Sequence, residues 1–229
     1  MSDVIAIVSG LPRSGTSMMM KMLEAGGMEV VVDNLREADE DNPMGYYELE
    51  TVKQIKGDAS WLNSVQGKVV KMVSMLLYDL PLHKNYKVIF MLRKMEEIIA
   101  SQQKMLERKG DRNVTDDEEM IKLYNTHIQK IEKWLQQQEN IEVLYLNYKD
   151  IIENPHKNAQ MINKFLNNTL NVEKMVQTVD KSLYRQRSAN DNNPDIPTRE
   201  QDIKDIHEIV KKEHDQEKIE AQLRSLGYM

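Results

Sequence analysis

Residues 10–17 read Gly-Leu-Pro-Arg-Ser-Gly-Thr-Ser. Two glycines bracket a short loop, and hydroxyl side chains follow the second. Such a frame can wrap an anion in backbone N–H groups. The run 4–9 before it is apolar and β-branched, and the run 16–25 after it has helical composition. A helix starting at Thr16 aims the partial positive charge of its N-terminus at the same anion. An ordinary ATPase loop places a Lys immediately before the last hydroxyl, against the β- and γ-phosphates. Here Thr16 holds that position, and the fixed cation is Arg13, three residues earlier. The chemistry is the grip of a phosphorylated nucleotide by Arg13, Ser14, Gly15, Thr16 and Ser17. An incidental glycine-rich turn is the plainer alternative, but the flanking strand and helix supply the context a phosphate loop needs.

A second candidate stands at residues 42–48, Asn-Pro-Met-Gly-Tyr-Tyr-Glu. Glu48 follows two aromatics and is the candidate general base, which must reach its proton within hydrogen-bond distance. The competing reading is a solvated carboxylate or a helix cap. His83, His127, His156, His207 and His214 lie in polar stretches and read as surface residues.

These groups need elements to position them. The run 4–9 lacks alternation and reads as a strand buried on both faces of a parallel sheet, with 87–92 and 141–146 as further apolar strands of the same sheet; 68–72 reads as a short strand. A further Val-rich run at 28–32 reads as another strand. Helices are expected at 16–25, ended by Gly26-Gly27, and at 49–59, 96–108, 116–138 and 158–166. In 116–138, Ile121, Tyr124, Ile128, Ile131 and Leu135 recur at helical spacing, and Thr115 with Glu118 forms a capping box. Residues 188–197 read as a loop, and 198–226 as a charged helical extension. Strands alternating with helices predict an α/β protein with a central parallel sheet and helices on both faces. No linker splits the chain, so one domain over 1–229 is expected.

Composition bounds the function. The chain has 229 residues, 40% hydrophobic and 30% charged, as a globular protein does. Its net charge of −6 argues against a nucleic-acid partner. It has no cysteine, which excludes disulfides, zinc–thiolate sites and a thiol nucleophile. No apolar run is long enough to span a membrane, and the N-terminus lacks the basic region of a secretory signal; a cytoplasmic protein is expected. Sixteen methionines are unusual, with Met18, Met19, Met20 and Met22 in one run; core packing is their ordinary use.

Pro12-Arg13-Ser14-Gly15-Thr16-Ser17 resembles the 5′-phosphosulfate loop of sulfotransferases that use 3′-phosphoadenosine 5′-phosphosulfate (PAPS), Pro-Lys/Arg-Ser-Gly-Thr-Ser/Thr. That family also carries an Arg at a strand end and a Ser eight residues later, both on the 3′-phosphate. Arg93, after Phe90-Met91-Leu92, and Ser101 match this pair. Residues 42–48 resemble a stretch of many bacterial members, and 143–148 with Pro155 and Phe165-Leu166 resemble the family's late strand, Tyr and helix. The likeness spans roughly residues 4–187. It departs in two places. Lys71 matches a family Lys, but Val73 stands where the catalytic His is expected. The terminal Arg-Lys-Gly element is missing, and Arg185 and Arg187 are the basic residues in its region. The resemblance implies a P-loop three-layer α/β/α fold with a helical C-terminal extension. It also implies PAPS as donor without a metal, a hydroxyl or amine acceptor of unknown identity, and Lys71 facing the sulfonate. A nucleotide kinase or NTPase, with Asp33 or Asp41 as metal ligands, and a non-catalytic nucleotide-binding protein are the alternatives.

Overall fold

The computed structural model describes residues 3–33, 35, 39, 45–110, 116–183 and 212–229. Four strands, β1 (Ile5–Gly10), β2 (Val69–Val73), β3 (Tyr86–Leu92) and β4 (Ile141–Asn147), form one parallel sheet in the order β2-β1-β3-β4. All six residues of β1 are buried. Both faces of this inner strand are covered, which explains its unbroken apolar sequence.

The helices are α1 (Thr16–Ala25), α2 (Met95–Lys109), α3 (Asp117–Leu135), α4 (Tyr148–Glu153), α5 (Pro155–Phe165), α6 (Val172–Gln177) and α7 (Lys212–Leu226). On one sheet face, Ala6 and Val8 pack with Met19, Met20, Met22 and Leu23 of α1, Ala159 and Ile162 of α5 and Met175 of α6. The methionine run is therefore core, as its composition suggests. On the other face, Glu132 of α3 lies close to Tyr145 of β4, and the Trp134 ring meets Tyr78 edge-on at 5.1 Å. The architecture is α/β, a four-stranded parallel sheet flanked by helices.

The described residues fall into two compact units. The first draws on Met1–Arg93 and Lys130–Arg185 and contains the whole sheet. The second draws on Lys94–Gln129 and Gln186–Met229. Within it Gln102 is fully buried; its Oε1 accepts from the Tyr124 hydroxyl at 3.1 Å and from Gln222 at 3.2 Å. Lys109 Nζ donates to the Leu226 carbonyl at 3.1 Å, satisfying the C-terminus of α7.

Several expectations shift. The 28–32 run makes only a single bridge, Val30 to Val69, because its residues stay partly exposed beside the outermost strand. Residues 49–59 give a short 3₁₀ turn, Glu50–Gln54. Thr115 lies outside the described residues; Asp116 accepts from the Glu119 N–H at 3.3 Å at the start of α3. His127 is 5% exposed, not a surface residue. The 188–197 loop, His207, and the 198–211 part of the expected extension lie outside the described residues.

Candidate active site

The loop between β1 and α1 is shaped by left-handed backbone. Gly10 has φ 145°, Arg13 φ 73° and Gly15 φ 100°. For Arg13 that conformation costs about 1–3 kcal/mol, so neighbours must hold it. The Leu11 carbonyl accepts from Ser14 N at 3.1 Å, and the Arg13 carbonyl accepts from Arg93 Nη1 at 3.1 Å. The glycines are required sterically as well. A Cβ on Gly10 would sit 2.6 Å from the Met91 carbonyl, and one on Gly15 would sit 2.4 Å from the Tyr148 ring.

The N-terminus of α1 is open to an anion. Gly15 is its cap residue, no side chain caps it, and its first turn has no acidic residue. Ser14 is fully buried with its hydroxyl unpartnered, as is Ser9 just before the loop. Buried hydroxyls normally find a partner, so these two orphans fit a site built for a ligand's oxygens.

Parallel register brings three strand ends together here. Gly10 pairs with Met91, and Leu92 with Asn147, so Arg93 and Tyr148 emerge beside the loop. The Arg93 guanidinium lies 4.6 Å above the Tyr148 ring. Such a stack is worth roughly 0.5–2 kcal/mol and orients the fork that could grip a phosphate. Tyr148 is the residue sequence reasoning undervalued: its place after the late strand was visible, its contact with Gly15 and Arg93 was not.

Glu48 and Lys71 meet. Lys71 Nζ is 3.5 Å from Glu48 Oε1, and their side chains are 5% and 10% exposed. Lys71 also donates to the Tyr46 carbonyl, which accepts from the Ser17 hydroxyl at 3.2 Å. One backbone oxygen thus ties the first turn of α1 to β2. Val73, paired with Gly10, occupies the strand end where the resemblance would place a His. The Tyr46 side chain is 1% exposed, and its hydroxyl donates to Asp39 at 2.8 Å. Tyr47 adopts φ 53° and donates to Glu24 Oε2 of α1 at 2.6 Å.

Ser101 is buried on α2, in the second unit. Arg185 and Arg187 lie outside the described residues, as does Asp41. Asp33 is occupied otherwise: its carboxylate accepts from the backbone N–H groups of Leu35 at 3.0 Å and Glu50 at 2.6 Å. Among the described residues no group of three or more His, Asp or Glu could hold a metal ion. No described helix is long and apolar enough to cross a membrane.

Among curated proteins none matches the sequence. Similar solved structures include two sulfotransferases. The sulfotransferase domain from the curacin biosynthetic pathway has a TM-score of 0.45 and 14% identity, covering 78% of each chain. A sulfotransferase from Alicyclobacillus acidocaldarius has a TM-score of 0.40 and 13% identity, over 71% of this chain and 80% of that one. The family model described as a sulfotransferase domain matches residues 3–222, nearly the full sequence, and the chain accordingly belongs to the sulfotransferase family.

Proposed function

We propose that the protein transfers a sulfuryl group from PAPS to a hydroxyl or amine acceptor, without a metal, in a reducing compartment such as the cytoplasm. The observation that carries this reading is the meeting of the uncapped α1 N-terminus, the unpartnered Ser14 hydroxyl and the stacked Arg93 at adjacent strand ends. Arg13, the loop amides, Thr16 and Ser17 would hold the 5′-phosphate. Arg93 would hold the 3′-phosphate. Ser101, Arg185 and Arg187 are assigned there by resemblance alone.

Bound there, PAPS supplies an activated sulfuryl group, whose bond to the phosphate oxygen breaks as the acceptor atom bonds to sulfur. The protein's part is positioning and charge neutralisation, by analogy with phosphoryl transfer. Glu48 takes the acceptor proton, and Lys71 holds that carboxylate and faces the sulfonate. Calorimetry with 3′-phosphoadenosine 5′-phosphate tests the donor. Binding without Mg²⁺, at least tenfold tighter than the analogue lacking the 3′-phosphate, or about 1.4 kcal/mol, is the expected result. Equal affinities would overturn the donor assignment, and Ser101→Ala in the same assay tests that residue separately. ATP with Mg²⁺ as the preferred ligand would favour a kinase instead.

A further inference from the structure

Residues 45–48 form a strap whose last three residues are each held by a side-chain or carbonyl contact. Gly45 has φ 86° and Tyr47 φ 53°, two left-handed residues within three. A left-handed Tyr is strained and persists only when its surroundings fix it. Tyr46 is fixed through its carbonyl, and through its hydroxyl on Asp39. The Tyr47 ring packs against the α1 core, and its hydroxyl reaches Glu24 Oε2 at 2.6 Å. Glu48 follows directly, with its carboxylate on Lys71.

We propose that Tyr47, clamped to Glu24 of α1, is a positioning residue that holds Glu48 on Lys71 for the transfer step. The proposal rests on the reading of Glu48 as the base. Neither Tyr47 nor Glu24 belongs to the phosphate-gripping loop; the strap reaches that loop's end through the Tyr46 carbonyl on Ser17, so the clamp bears first on the proton acceptor and only indirectly on the nucleotide. The Tyr47 hydroxyl keeps its proton at neutral pH. Burial first, then the hydrogen bond and charge of Glu24, push the Tyr47 hydroxyl well above the ordinary tyrosine range, so it remains a donor. The 2.6 Å length is that of a hydroxyl donating to a carboxylate.

The test needs no knowledge of the natural acceptor. Water serves as probe: its oxygen bonds to sulfur, the bond from sulfur to the PAPS phosphate oxygen breaks, and its proton passes to Glu48. Release of labelled sulfate from PAPS gives kcat, calorimetry gives affinity for 3′-phosphoadenosine 5′-phosphate, and hydrogen exchange reads the amides of 45–49. Tyr47→Phe and Glu24→Ala are expected to lower kcat by about 10- to 100-fold, the scale of a small misplacement, with nucleotide affinity changed by much less. Exchange in the strap should rise in both. Glu24→Gln keeps an acceptor for the Tyr47 hydroxyl and should restore both readings. Tyr47→Phe with Glu24→Ala should be no worse than either alone. Unchanged strap exchange in the two single variants overturns the proposal even where sulfate release is too slow to follow. So does a kcat loss that Glu24→Gln fails to restore. The base reading fails by a different sign: Glu48→Gln releasing sulfate at the wild-type rate while the strap responds as described.

Discussion

Tyr148 makes two contacts, under Gly15 of the β1–α1 loop and beneath Arg93 at the end of β3. The two contacts make separate demands. The flat ring leaves Gly15 no room for a methyl group, and φ 100° strains any substitute. Gly15→Ala should therefore weaken binding of 3′-phosphoadenosine 5′-phosphate more than tenfold by calorimetry, with a lowered Tm. The stack on Arg93 needs an aromatic face and not a hydroxyl. Tyr148→Phe should bind within a few-fold of wild type, while Tyr148→Leu should lose about fivefold, or 1 kcal/mol. A Leu variant binding as well as Phe would remove the stack from the account. The Glu48–Lys71 pair sets a third expectation. Removing one partner leaves a charge in a site under 10% exposed on the Lys side, at a cost of about 3–5 kcal/mol. Glu48→Ala should be destabilised on that scale in urea unfolding, and adding Lys71→Met should recover much of the loss. Additive losses would mean that the pair does not act as a unit.

At the scale of elements, α3 carries a carboxylate on its apolar stripe. Glu132 lies four residues after Ile128 and three before Leu135, so helical spacing turns it inward, where it is 7% exposed. Burial raises its proton affinity, and its charge in turn helps push the Tyr145 hydroxyl, already raised by burial, up to about 12. The sign follows from linkage. The folded state holds the Glu132 proton more tightly than the unfolded chain, so the associated stability is full below the ordinary carboxylate range and is lost as pH rises through the folded value. Glu132→Gln, neutral at every pH, should raise Tm at pH 7 and give no gain near pH 4. An equal gain at both would assign the effect to packing. The α3 stripe itself was legible, as were β1 to β4, because long periodic or β-branched runs constrain their own conformation. The six-residue α4 and α6 were not, since neither is long enough to show a period. They form where Asn147 and Asn171 accept from N–H groups of the following turn, and where their apolar residues meet the core. In the site, the loop and its helix were legible because they are contiguous. The Glu48–Lys71 pairing and the Tyr148 contacts join residues far apart in sequence and required the sheet's register to appear.

For the whole molecule, sulfur is the informative atom. The chain has 16 methionines and no cysteine. Met19, Met20 and Met22 in the first unit, and Met105 and Met120 in the second, are 0% exposed, whereas Met161 is 41% exposed. With dilute peroxide, mass spectrometry should find Met161 oxidised first among the described methionines and the buried residues at least about 100-fold later, because they react only through opening. Saturation with 3′-phosphoadenosine 5′-phosphate at 100 times its Kd should slow Met19 by a further factor of about 100 where opening is global. Met19 oxidising at an unchanged rate would place its exposure in a local fluctuation that the nucleotide leaves alone. Two units whose boundary crosses the middle of α3 leave no linker in the sequence, and Met105 and Met120 would report the second by itself. The thioethers that α1 packs against the sheet have one more consequence. A sulfoxide is polar and bulkier than the sulfur it replaces, so an opening that coincides with an oxidant cannot close cleanly. A molecule damaged once would then open more often, so its remaining buried methionines would oxidise faster than its first.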